Sequence, residues 1–153
     1  MPHFADDGAT ACVLNGRLHV IGGSGYTQNI HQVLETTEQN GFAWTQKADL
    51  PAWLSNDAIV VHANKIVVLG GNMGGTYDAE ADAWEMAPPL PLGARSALAA
   101  TSLDGRILLC SHDVTLECGS SRTGGIGWRS WRWSEVAEGT GVDVYACGCV
   151  LLG

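Results

Sequence analysis

The groups in this 153-residue chain that could do chemistry are five cysteines, five histidines and one cluster of acids. Cys147 and Cys149 form a single close pair, with Cys110, Cys118 and His112 upstream. Residues two apart on a strand share a face, so the pair could point together. A structural zinc site takes two such pairs, each with two to four residues inside it. One near-pair therefore reads as small core cysteines. The histidines are scattered, at positions 3, 19, 31, 62 and 112. His19 falls within an apolar run, where a packed or edge imidazole is expected rather than a ligand. Asp78, Glu80, Asp82 and Glu85 lie close together, but carboxylates do acid–base work only in a cleft that drives their pKa values apart. In a turn between outer strands they read as solvated caps.

Three further stretches invite a chemical reading. VIGGSG (20–25) has the look of a dinucleotide loop, yet the third glycine would fall at position 28, which is Gln28. VLGGNMGG (68–75) runs into Tyr77-Asp78 and Trp84, not into a helix start. WRSWRW (128–133) interleaves Trp with Arg in a way that can stack bases or sugar rings, but outer-strand packing explains Trp133 equally. No Gly-x-Ser-x-Gly nucleophile elbow occurs. No catalytic, cofactor-binding or metal-binding residue is assigned on these grounds, and the chain is not read as an enzyme.

The elements that carry these residues are hairpins. TACVLNGRLHVIGG (10–23), AIVVHANKIVVLGG (58–71) and ALAATSLDGRILLCSH (97–112) share one plan: an apolar run, a two-residue turn, a basic residue and a second apolar run. Asn15-Gly16 and Asp104-Gly105 are strong turn signals because both residues tolerate positive φ. Arg17, Lys65 and Arg106 are equivalent, 48 and 41 residues apart, and Trp44, Trp84 and Trp133 follow at steps of 40 and 49. From Trp84 to Ala97 and from Trp133 to Ala146 is 13 residues each time, so YACGCVLLG (145–153) fits the first strand of a fourth hairpin.

Composition agrees with a turn-rich β protein. The chain is 46% hydrophobic and 16% charged, with 20 glycines, and is long enough to bury one core. A net charge of −8 argues against general nucleic-acid binding, which needs a basic face. The N-terminal residues carry no basic, apolar run, so no leader is expected, and no run is long enough to span a bilayer. The odd cysteine count suggests no disulfide framework, and a cytoplasmic setting is expected.

This pattern resembles the kelch repeat, the blade unit of a β-propeller. The resemblance rests on Gly22-Gly23 and Gly70-Gly71 after the second strand, Tyr77-Asp78 with Trp84, and the Leu-Pro pairs at 50–51 and 90–91. It implies an all-β fold, a partial kelch-type propeller of antiparallel four-stranded blades, with Tyr and Trp packed between blades. The repeats run about 1–51, 52–91 and 92–140, with a truncated fourth at 141–153. Repeat two is short between Gly71 and Tyr77 for a full third strand. Repeat one lacks the Tyr-Asp, and repeat three has Ser111-His112 in place of Gly-Gly. Three blades and a stub fall below the four to eight that close a propeller, which suggests a fragment, a divergent product or closure by self-association.

Residues 142–153 also resemble a helix of the protein-kinase C-terminal lobe, with Asp143 and Gly148 at its signature positions. No phosphate-binding Gly-rich loop, catalytic Asp or metal-binding Asp motif supports phosphoryl transfer. The kelch resemblance implies a protein-binding or scaffold module. Its unknown protein partner would meet the loops after Gly23, Gly71 and Cys110 and the connections near 51–57, 91–96 and 139–145. The alternatives are an enzyme on the same scaffold, a sugar isomerase or copper oxidase, and a non-functional truncated product. An oxidase would need convergent ligands and a modified Tyr, for which no matching positions are found. No cofactor, nucleic-acid or membrane partner is expected.

Overall fold

The structure is a computed structural model, which describes residues 8–23, 29–38, 41–52, 58–70, 73–87, 90, 99–110, 114–120 and 131–138. Among these there are twelve strands and no helix. Strands β1 (Thr10–Leu14), β2 (Arg17–Ile21), β3 (His31–Thr36) and β4 (Phe42–Gln46) form one antiparallel sheet in that order. The second sheet holds β5 (Ala58–His62), β6 (Lys65–Gly70), β7 (Met73–Asp78) and β8 (Ala83–Ala87). The third holds β9 (Ala99–Leu103), β10 (Arg106–Cys110), β11 (Val114–Ser120) and β12 (Trp131–Glu138). The three sheets are blades 1, 2 and 3.

The hairpins form where the turn chemistry puts them. Asn15 and Gly16 have φ of 52° and 74°, and Asp104 and Gly105 have 49° and 74°. These are the left-handed values of a two-residue primed turn, whose twist matches that of the strands. The middle hairpin makes the same turn with Ala63 (49°) and Asn64 (60°), although Ala carries no preference for that region. Its flanking runs pair from Ala58↔Leu69 to His62↔Lys65 and hold the register without a glycine.

Repeat two differs from its sequence reading. The short stretch after Gly70 is a full third strand, Met73–Asp78, which begins almost at once and pairs Gly70 with Met73. Tyr77 and Asp78 therefore end the third strand rather than follow it. Gly74 and Gly75 are needed there: a Cβ on Gly74 would lie 2.9 Å from both Ala87 Cβ and Leu69 Cδ2, and one on Gly75 would lie 3.1 Å from Trp84. The stretch 141–153, with Asp143, Cys147, Gly148 and Cys149, lies outside the described residues, as does the Gly/Ser-rich segment 121–130.

The blades stack side by side through two apolar clusters. Leu14, Ile21 and Leu50 of blade 1 meet Ile66, Val68 and Tyr77 of blade 2. Ala58, Val60, Val67 and Leu69 of blade 2, with Leu90, meet Ile107, Leu109 and Cys118 of blade 3. Strand β6 thus has neighbours on both faces. Ile66 and Val68 point to blade 1, Val67 and Leu69 to blade 3, and all four are essentially inaccessible. That two-sided burial is why its sequence, KIVVLG, is a continuous apolar run and not an alternation. The two Leu-Pro leucines have a matching purpose: Leu50 and Leu90 each seal one blade boundary.

Candidate functional site

The richest group of titratable and aromatic side chains lies between blades 1 and 2. His19 on β2 and His31 on β3 are buried, and their Nδ1 and Nε2 atoms share a hydrogen bond of 2.9 Å. The ring of Tyr77 stands edge-on to His31 at 4.4 Å between centroids, and Trp84 stands edge-on at 5.6 Å. Tyr77 donates its hydroxyl to Asp82 Oδ1 at 2.7 Å. The same carboxylate oxygen accepts the Ala48 amide of blade 1 at 3.0 Å, and the Trp84 indole donates to the Ala48 carbonyl at 2.8 Å.

This geometry joins the Leu-Pro segment of one blade to the Trp of the next. In WTQKADLP (44–51), the chain leaving blade 1 offers both backbone groups of Ala48 to Asp82 and Trp84, then inserts Leu50 into the boundary. The Lys47 amide donates to the His31 carbonyl and the Leu50 amide to the Asn29 carbonyl, which fixes the stretch against blade 1. Backbone polar groups at a buried boundary need partners, and the side chains of blade 2 supply them.

The electrostatics of the cluster favour neutral rings. Burial, then the neighbouring His19, hold His31 down to about 4. The Ala48 backbone opposes this, but its contact falls short of a well-formed hydrogen bond, and Nδ1 of His31 is left without a partner. His19 is lowered too, by burial first and then by Lys47 and Arg17. Tyr77 is pushed well above its ordinary value by burial and by Asp82, while the Ala48 amide and the Tyr77 hydroxyl keep Asp82 low. Burial raises the Cys12 thiol to about 12, which keeps it protonated at neutral pH. A neutral His pair and a protonated Tyr, sealed from solvent, form a polar staple between blades.

The acids separate into two roles. Asp78 caps its own turn as expected, accepting the Glu80 and Ala81 amides, and also pairs with Lys65 at 2.8 Å. Asp82 is more than a solvated cap, because it spans the blade boundary. The first hairpin repeats this pairing: Arg17 meets Glu35 at 3.5 Å, where Glu35 holds the position of Asp78. A shallow depression of about 120 Å³ lies beside Lys65 and Asp78, lined also by Ala63, Asn64, Ala79 and Glu80.

Sequence reasoning missed the pairing of His19 with His31 and of His62 with Ser102, whose Nδ1 and Oγ lie 2.8 Å apart across the boundary of blades 2 and 3. Among the described residues no group of three or more His, Cys, Asp or Glu could hold a metal ion. His3, His112, Cys147 and Cys149 lie outside them. No described helix is long and apolar enough to cross a membrane.

No family model matches the chain, and no curated protein is significantly similar to it. Among solved structures, one titled "Structure of YjhT" superposes with a TM-score of 0.67 at 17% identity, over 90% of this chain and 53% of that one. The chain spans about half the length of that structure. Three radial four-stranded sheets, with first strands adjacent, decide the matter together with this likeness. The fold is a partial β-propeller. Its polar cluster joins blades 1 and 2.

Proposed function

We propose that the chain is a kelch-type protein-binding or scaffold module, with its partner engaged by the loops at one end of the blades. The observation that supports this is where the connections between blades fall. At one end the strands of each hairpin join through the two-residue turns 15–16, 63–64 and 104–105, and the third and fourth strands of each blade join through 37–41, 79–82 and 121–130. The opposite end carries the connections 22–30, 47–57 and 88–98, together with 71–72 and 111–113. Loops held on a rigid scaffold are the usual seat of binding. The His19, His31, Tyr77 and Trp84 group is committed to holding blades together and offers no accessible polar pocket. A cytoplasmic setting accompanies this reading, on the strength of the cysteine pattern.

Proximity labelling in the host cell tests it, with the tagged chain and with a variant whose residues 53–57 are replaced by Gly and Ser. A set of proteins enriched by the first and lost with the second supports the module. No enriched protein, or a set indifferent to the replacement, contradicts it.

A further inference from the structure

The register gives each blade two faces with equivalent positions. Val13, Val61 and Ser102 precede the last residue of the first strand, and Leu14, His62 and Leu103 are that last residue. At each internal boundary the second kind of position on one blade meets the first kind on the next. Leu14 and Val61 share the cluster between blades 1 and 2, and His62 hydrogen-bonds Ser102 between blades 2 and 3. The next pair in this series is Leu103 with Val13. Both side chains are exposed, Leu103 by 41% and Val13 by 62%.

The rest of the two outer flanks follows the same rule. On blade 2, Ile66, Val68 and Tyr77 face blade 1 and are inaccessible, whereas the equivalent Leu18, Val20 and Leu34 of blade 1 are half-exposed. Val67 and Leu69 of blade 2 face blade 3 and are inaccessible, whereas the equivalent Leu108 and Cys110 are half-exposed. Trp44 holds the position of Trp84, yet its indole has no carbonyl to reach among the described residues. Each flank is built to the pattern of a boundary that the chain already makes twice.

We infer that two copies of this chain associate head to tail, the Leu103 flank of each against the Val13 flank of the other. The two contacts are the same heterologous interface made twice, so the pair closes rather than polymerises. Six blades fall within the range that closes a propeller. The inference rests on the blade register and not on the binding role, and either can fail alone.

The test is light scattering on the purified chain and three variants, Val13→Lys, Leu103→Glu and the double variant, with circular dichroism on each. The expected result is a mass of two chains for the wild type and one for each single variant. The double variant returns to two, because every interface then pairs a Lys with a Glu. A face-to-face dimer would set Lys against Lys, and its double variant would stay apart. A folded wild type at one chain's mass, a mass that grows with concentration beyond two chains, or a double variant that stays monomeric overturns the inference. Should a charge unfold the chain, Val13→Ser and Leu103→Ser give the same reading as a dissociation constant raised by about ten-fold or more, and unchanged association overturns it.

Discussion

The Trp84 indole, on blade 2, donates to the Ala48 carbonyl, on the chain leaving blade 1, at 2.8 Å. Beside it, Asp82 joins the Ala48 amide to the Tyr77 hydroxyl. Removing that hydroxyl in Tyr77→Phe leaves the ring in place and an exposed carboxylate that water can serve. The expected loss is about 1 kcal/mol, read by urea denaturation. Tyr77→Ala also empties a fully buried site and is expected to cost about 3–5 kcal/mol.

Acid should weaken the boundary in a defined window. His31 lies at about 4 when folded, below the ordinary imidazole value of 6.5. Between these values the unfolded chain binds the proton first, so stability is full above 6.5 and is lost as pH falls toward 4. The gap corresponds to on the order of 3 kcal/mol. His19 acts in the same direction. Asp78 and Asp82 are held below the ordinary carboxylate value, so their contributions persist through this window and are lost only below it. Denaturation midpoints at pH 7.5 and pH 5 should differ in the wild type, and His31→Gln should lower the first while flattening the difference.

The middle hairpin contains an improvable residue. Ala63 holds φ of 49° at the position where the other turns have Asn15 and Asp104. A left-handed Ala costs roughly 1–2 kcal/mol, which Asn largely avoids. Ala63→Asn is expected to stabilise the chain by about 1 kcal/mol, seen as a higher denaturation midpoint with unchanged slope.

Gly74 should tolerate no side chain. Its added Cβ would press on Ala87 and Leu69 at 2.9 Å and on the Val68 carbonyl oxygen at 3.2 Å. Gly74→Ala is expected to destabilise by about 1–3 kcal/mol through overpacking. Blade 1 has His31 at the equivalent position, which shows that the crowding belongs to blade 2 and not to the repeat.

The blades were legible in the sequence because Asn15-Gly16 and Asp104-Gly105 announce their turns and the runs beside them are apolar. Strand β7 was harder to see, since Met73-Gly74-Gly75 has no β preference and is a strand only because β6 and β8 enclose it. Tyr77 and Trp84 stood out as boundary residues through the kelch resemblance. The His19–His31 contact depends on the register across the 22–30 loop, which no spacing rule supplies. Asp78 and Asp82 look alike in sequence, and their roles differ because the partner of Asp82 is a backbone amide 34 residues earlier.

The central claim is that Tyr77, Asp82 and Trp84 bind one blade to the next, and native-state hydrogen exchange on Asp82→Ala tests it most directly. The account predicts faster exchange at the Ala48 amide together with a shared loss of protection in β3 and β7, on the two sides of the boundary. Faster exchange confined to residues 78–82, with Ala48 and β3 unchanged, would contradict it.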